Sequence, residues 1–140
     1  MRCLDAELRQ MHGLALSSYE VLLHLSWAPG YRMRMGELAE SVLLTLSGVT
    51  RLVGRLEGEG LVLREPCPED RRGAYAILTV AGLDRLSEAR PTHLSGVRRL
   101  FLEHFDEEEL KTMAQYWGRI AACPSPPGSL SPGGLDRHLR

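Results

Sequence analysis

Arg51 and Arg55, one helical turn apart, share a face with Ser47, Gly54 and Gly58. Val49, Leu52, Val53 and Leu56 recur at i, i+3, i+4 and i+7 on the opposite side, which predicts an amphipathic helix with one apolar stripe. The outer face is small, polar and cationic. Short hydroxyls and guanidinium forks are groups that read base edges and phosphates, so such a helix could lie in a DNA major groove. An ordinary surface helix with solvated arginines has the same pattern, and its neighbours must decide. Gly60 stops the helix where a left-handed cap is needed. Leu61 to Glu65 then read as a strand, Pro66 to Gly73 as a polar loop, and Tyr75 to Leu78 as a returning strand. The loop carries Asp70-Arg71-Arg72. An arginine at a loop tip is favoured by the negative potential of a narrow minor groove, and a neighbouring carboxylate lowers the entropy cost of holding it there.

Other chemistries lack their residues. No Ser/His/Asp or Cys/His arrangement and no glycine-rich phosphate loop is present, because Gly54, Gly58 and Gly60 lie within or just past a helix. His93 and His104 are eleven residues apart, too far to share a metal on one helix. Cys3, Cys67 and Cys123 are odd in number and widely spaced, which argues against a disulfide framework or a structural zinc site. The expectation is a non-enzyme with no metal and no cofactor. No apolar run of membrane-spanning length and no signal peptide occurs, so a cytoplasmic setting without membrane contact is expected.

The chain has 140 residues, suited to a single domain, and a net charge of −1. Between residues 45 and 75, arginines 51, 55, 64, 71 and 72 face acids 57, 59, 65, 69 and 70, an even balance. Any DNA binding must therefore come from how charge is arranged, with sites doubled in a dimer. The elements that must position the arginines follow in order. Leu4, Leu8 and Met11 mark a short opening helix closed by His12-Gly13, and Ser17-x-x-Glu20 has the form of a capping box for a second. Ala28-Pro29-Gly30 ends it, and Arg32 to Met35 read as a short strand or an extended link. A third helix runs from Gly36 to about Val42, with Leu43 to Thr45 as the turn into the arginine helix, capped by Thr45 or Ser47. Thr79 caps a fifth helix with Val80, Leu83, Leu86, Leu94, Val97, Leu100 and Phe101 as its apolar set, and Pro91 is expected to kink it. Asp106-x-x-Glu109 opens the last helix, and residues 122–140, rich in Pro, Ser and Gly, read as a disordered tail. The expected fold is mainly α with a small β-hairpin wing. It is a winged helix-turn-helix over residues 1–121, with 30–78 as the DNA-binding lobe and 1–16 and 79–121 as dimerisation helices.

Three ordered blocks give these elements a likeness. Val49-Thr50-Arg51-Leu52-Val53-x-Arg55-Leu56-Glu57-x-x-Gly60-Leu61-Val62, then Pro68-x-Asp70-Arg71-Arg72, then Leu78-Thr79-x-x-Gly82, resemble the MarR family of transcriptional regulators, from about residue 12 to 121. Leu16-Ser17-x-x-Glu20 and Glu37-Leu38-Ala39 match its earlier helices. The resemblance implies a homodimer that binds double-stranded DNA at a palindromic operator, usually as a repressor released by a ligand or an oxidant. Ser47, Gly48, Thr50 and Arg51 fall where the family's recognition helix meets bases, and Arg55 where it meets phosphate. Asp70 and Arg72, with Arg71 between them, match the wing that reaches the minor groove. The chain departs from the pattern at Gly54, where the family commonly has Asp. Gly48, Gly54 and Gly58 each cost a helix about 0.8–1 kcal/mol relative to alanine, which predicts a recognition helix that is loose before DNA binding. The opening helix is also shorter than the family's usual one, which implies either a truncated start or a dimer resting more on residues 97–121.

Phe101, Phe105, Met113, Tyr116, Trp117 and Ile120 are more apolar surface than two terminal helices bury alone, so a two-fold helical interface is expected, completed by Leu4, Leu8 and Met11 of the partner. Similar proteins hold effectors between the dimer helices and the winged helix. Here His12, Tyr19, His24, Trp27 and Met33 would line such a cleft and suit a small phenolic or aromatic acid. Two other readings stay open: a winged helix whose arginines dock an acidic protein, and a regulator that senses oxidants through Cys3 or Cys67.

Overall fold

A computed structural model describes residues 2–121, with side chains described as far as residue 119. Cys123 and the 122–140 tail lie outside the described residues, as does the Ile120 side chain. The chain divides into two compact units, one ending at Gly96 and the other beginning at Val97. The described elements are α1 (Arg2–His12), α2 (Leu16–Trp27), β1 (Arg32–Arg34), α3 (Met35–Ser41), α4 (Leu46–Gly58), β2 (Val62–Cys67), β3 (Asp70–Leu78), α5 (Val80–Leu100) and α6 (Glu107–Ala121). The fold is mainly helical with a three-stranded antiparallel sheet in the order β1-β3-β2.

In the first unit, the stripe expected of α4 is realised. Val49, Leu52, Val53 and Leu56 are all buried, together with Leu8, Leu22, Leu25, Leu38 and Val62. Thr45 settles the choice of cap: its Oγ1 accepts from the Gly48 N–H at 3.1 Å. The turn before it is a Schellman motif in which Leu43 takes the left-handed conformation (φ 54) that glycine usually supplies. Leu44 N–H donates to the Ala39 carbonyl across that turn.

Four expectations change or, where two readings were open as at Arg32 to Met35, are resolved in detail. The Ser17-x-x-Glu20 box is not the start of α2, because Leu14 and Ala15 are drawn into the core and the helix begins at Leu16. Asp5 of α1 caps it from outside, its Oδ1 accepting from the Leu16 N–H at 2.8 Å. That bond, followed by the one from Arg9, holds the Asp5 carboxyl below its ordinary range. The Arg32–Arg34 segment becomes a third strand, with Arg34 opposite Tyr75 and Arg32 opposite Ile77 on β3. The stretch expected as a loop over 66–73 is mostly strand: β2 runs to Cys67 and β3 starts at Asp70, with only Pro68 and Glu69 between them. Pro66 is tolerated because β2 is an edge strand, where a missing N–H breaks no inner ladder.

The fourth change is the buried face of α5. Val80 and Leu94 point outward, while Gly82, Leu86, Ala89 and Gly96 are buried. Small residues occupy that face because neighbours come very close. A Cβ on Gly82 would stand 2.1 Å from the Leu61 carbonyl oxygen, and one on Gly96 would stand 2.4 Å from Leu4 Cδ1. α5 continues as one helix through Pro91.

In the second unit, Asp106 and Glu109 form the expected reciprocal cap at the start of α6. Asp106 N–H donates to Glu109 Oε2 at 2.9 Å, and Glu109 N–H to Asp106 Oδ1 at 2.8 Å. Phe101 and Phe105 pack with their rings tilted by 53° and their centroids 5.1 Å apart. No helix among the described residues is long and apolar enough to cross a membrane.

Candidate nucleic-acid interface

With Thr45 as cap, Ser47, Gly48, Thr50 and Arg51 fall in the first two turns of α4 and Arg55 one turn further on. Ser47, Thr50, Arg51 and Arg55 are exposed, and Gly48 is half-buried beneath the cap. Their polar groups differ in readiness. Thr50 Oγ1 donates to the Leu46 carbonyl at 2.7 Å, which leaves the hydroxyl only its acceptor capacity for a ligand. Ser47 Oγ lies 3.3 Å from Thr45 Oγ1. Among the described residues, the guanidinium groups of Arg51, Arg55, Arg71 and Arg72 make no ion pair, so none must break one to meet an acidic ligand.

The helix is held against the sheet at its far end. The Arg64 backbone N–H and side chain of β2 both donate to Glu57, at 2.9, 3.2 and 3.1 Å. Those bonds keep the Glu57 carboxyl below its ordinary range. The link ties α4 to the wing through Arg64 and leaves Arg51 and Arg55 out of it.

At the wing tip, Cys67 pairs with Asp70 while Pro66 pairs with Ala74, so Arg71, Arg72 and Gly73 form a bulge on β3. Asp70 Oδ1 accepts from the Arg72 backbone N–H at 3.0 Å. The carboxylate therefore shapes the bulge through the backbone, and the Arg72 guanidinium stays exposed. A Cβ on Gly73 would sit 3.2 Å from Asp70 Oδ2 and 3.3 Å from Cys67 Cβ, so this tight bulge suits glycine. Cys67 is buried at its base, while Cys3 is exposed.

The sequence passed over three features. Leu43 and Leu46 at the helix-turn-helix corner are 91% and 57% exposed, apolar surface on the edge from which α4 begins. Arg34 reaches the wing turn, its Nη2 donating to Glu69 Oε2 at 2.8 Å. Arg32 stacks over the Tyr75 ring at 4.0 Å. The only advance signal for the last two was the polar–apolar alternation of Arg32 to Met35, which shows a strand but not its partners.

The five residues expected to line a ligand cleft differ in burial and in their partners. Tyr19 is buried and stacks on His93 at 4.3 Å between ring centroids, and Met33 is buried in the sheet. His12 Nε2 meets Thr92 Oγ1 at 2.8 Å, while His24 and Trp27 meet each other edge-on at 5.5 Å. Leu4 and Leu8, expected at a partner's surface, are 4% and 0% exposed within their own chain, because α1 packs them into the first unit's core. Met11 remains 65% exposed. In the second unit, Phe101, Tyr116 and Trp117 are 46%, 55% and 65% exposed, and Phe105 and Met113 are half-buried.

A capped outer helix, the short helix and turn before it, and an antiparallel wing behind it define a winged helix-turn-helix protein. The MarR family's sequence profile matches residues 12–73. The structure resembles AbsC, a MarR family transcriptional regulator from Streptomyces coelicolor, with a TM-score of 0.77 and 36% identity over 86% of this chain and 80% of that one. It also resembles Sco3205, a MarR family regulator from the same organism solved in complex with DNA, with a TM-score of 0.78 and 34% identity over 91% of this chain and 80% of that one. The HTH-type transcriptional regulator YkoM of Bacillus subtilis (strain 168) is 31% identical over 90 residues, 64% of this chain and 57% of YkoM. That alignment thus spans less than two thirds of YkoM. The chain belongs to the MarR family of transcriptional regulators, which are not enzymes.

Proposed function

We propose that the chain binds double-stranded DNA as a homodimer and represses transcription from a palindromic operator. The observation that carries this is the pairing of one outward face, Ser47, Thr50, Arg51 and Arg55 on α4, with a wing bulge presenting Arg71 and Arg72 free of ion pairs. Gly48 and Asp70 serve through shape, the first beneath the cap and the second inside the bulge. The complex of Sco3205 with DNA supports the same use of the fold here. A two-fold dimer sets its recognition helices about 34–36 Å apart, one turn of duplex. In this reading its contacts come from Met11, Phe101, Phe105, Met113, Tyr116, Trp117 and Ile120, whereas Leu4 and Leu8 are taken up by the core of their own unit. Chromosomal DNA as the ligand puts the protein in the cytoplasm.

Release by a small phenolic or aromatic acid completes the proposal. Of the five residues weighed for it, His12, His24 and Trp27 keep accessible surface, while Tyr19 and Met33 are buried. Such a ligand relieves repression only through differential affinity. A hundredfold effect needs about 2.7 kcal/mol between the binding and non-binding states.

The test is a salt titration on selected and scrambled duplexes. A DNA binder loses affinity with log salt at a slope of about −0.9 per phosphate contacted. Arg72→Ala is expected to weaken binding by about 1–3 kcal/mol, mostly at A·T-rich wing positions. Arg51→Ala is expected to relax preference at particular base pairs. Unchanged affinity in both variants would refute the assignment and favour an acidic protein partner.

A further inference from the structure

Arg34 occupies a position that none of the contacts above uses. It ends β1, at the edge of the sheet opposite β2, and its residue is the N-cap of α3, the first helix of the helix-turn-helix. Its Nη2 nevertheless reaches the wing turn, donating to Glu69 Oε2 at 2.8 Å. Tyr75, opposite Arg34 on β3, braces it from beneath, with the Arg34 Cζ 5.7 Å from the ring centroid and the Arg32 Cζ 4.0 Å from the same centroid. The aromatic ring and the two guanidinium groups thus form a ledge leading from the start of α3 to the residue just before Asp70.

The ion pair on this ledge contributes little to holding the fold. The side chains of Arg34 and Glu69 are 42% and 75% exposed, and exposed pairs are screened and entropically costly. Its geometry matters more. A carboxylate and a phosphodiester offer a guanidinium fork the same pair of acceptor oxygens. In helix-turn-helix docking the first helix crosses the phosphate backbone, so an arginine at the start of α3 and beside the wing lies along that backbone.

We propose that Arg34 is a phosphate-contacting residue held ready by Glu69, and that Glu69 is a built-in competitor of DNA. This rests on the DNA-binding reading above. On the duplex, the guanidinium exchanges the Glu69 carboxylate for a backbone phosphate, and the negative potential of the DNA repels the released carboxylate. Tyr75 keeps the arginine extended in both states, so the exchange needs little rearrangement of the side chain.

A double-mutant cycle tests this, using the full chain and a duplex of about 25 base pairs enriched by the wild-type protein from a random library. Arg34→Ala is expected to weaken binding roughly fivefold and to make the salt slope shallower by about 0.9 for each protomer bound, alike on enriched and scrambled duplexes. Arg34→Lys keeps the wild-type slope. Glu69→Gln tightens binding roughly threefold in the wild-type background and clearly less in Arg34→Ala, where the competitor has nothing to withhold and only its repulsion by the DNA is relieved. Equal tightening in both backgrounds would mean that Glu69 acts through charge alone and would overturn the proposal, as would an unchanged slope in Arg34→Ala. Thermal melting of each variant confirms that the fold is intact. If Arg51→Ala and Arg72→Ala weaken binding while Arg34→Ala is silent, only this proposal fails. If all three are silent, the DNA-binding reading fails with it.

Discussion

The two units of the chain treat their apolar residues in opposite ways. In the unit ending at Gly96, α1 to α4 and the sheet surround Leu8, Leu22, Leu25, Leu38, Val53 and Leu56, each at most 1% exposed. In the unit beginning at Val97, Phe101, Tyr116 and Trp117 remain about half exposed or more, although α6, which carries the last two, is reciprocally capped and has acids in its first turn and a base in its last. The first unit satisfies its hydrophobic demand alone. The second has good secondary structure and an unburied aromatic surface, which supports the proposed use of this unit as a dimer face. A sequence can therefore specify a helix fully while leaving open what covers it.

The sharpest way to break the comparison is to truncate one apolar residue in each unit. Leu8→Ala is expected to cost about 2–5 kcal/mol of unfolding free energy, through lost burial and a cavity between α1 and its neighbours. Urea denaturation of the full chain checks it. Trp117→Ala is expected to leave helical circular dichroism intact and to weaken self-association by about 2 kcal/mol, measured by sedimentation equilibrium. An unaltered association constant would show that the exposed aromatics are not the dimer contact.

Smaller effects separate the glycines. Gly82→Ala should destabilise by about 1–3 kcal/mol, since the added Cβ meets a backbone carbonyl that Thr79 N–H also uses at 3.2 Å. Gly54→Ala should stabilise by about 0.8–1 kcal/mol, since a Cβ there meets only the Arg64 guanidinium at 4.0 Å. It should also slow hydrogen exchange across α4, where the wild-type helix is expected to exchange faster than α5. Gly48→Ala gains little, because its Cβ would press on the capping Thr45 Oγ1 at 3.1 Å.

The smallest effect is in acid. His93 and His24 have their pKa values lowered from 6.5, in both cases chiefly by burial, and the His93 Nδ1 is buried beside Tyr19 without a hydrogen-bond partner among the described residues. The unfolded chain therefore takes up these protons at higher pH than the folded one. Stability is complete above the ordinary histidine value and falls as the pH drops below it. Melting temperature is expected to decline from about pH 7 to about pH 5.5, and less steeply in His93→Gln.

Much of the fold was legible because its signals are local. The α4 stripe, the stop at Gly60, the Asp106–Glu109 cap and the Thr79 cap each depend on residues within one or two turns. The candidate interface was legible for the same reason, since Arg51 and Arg55 follow from helical spacing and Asp70-Arg71-Arg72 from the flanking strands. Reading failed where a residue answers to something distant. Asp5 caps α2 from another helix, so Ser17-x-x-Glu20 looked like a box that never closes. Leu4 faces Gly96 across 92 positions of sequence, which turned an expected partner surface into core. The α5 apolar set was misread because its packing face is chosen by close approach, which selects glycine and alanine over leucine.

Sequence periodicity by itself determined the helices, the buried stripe of α4 and the presence of a wing, because amphipathic spacing and turn chemistry act within a few residues. Tertiary structure alone decided that β1 joins the sheet, that Arg71 to Gly73 form a bulge, and that Arg34 reaches Glu69. Strand pairing and ion pairs between strands follow from through-space distance, to which the order of residues gives no direct measure.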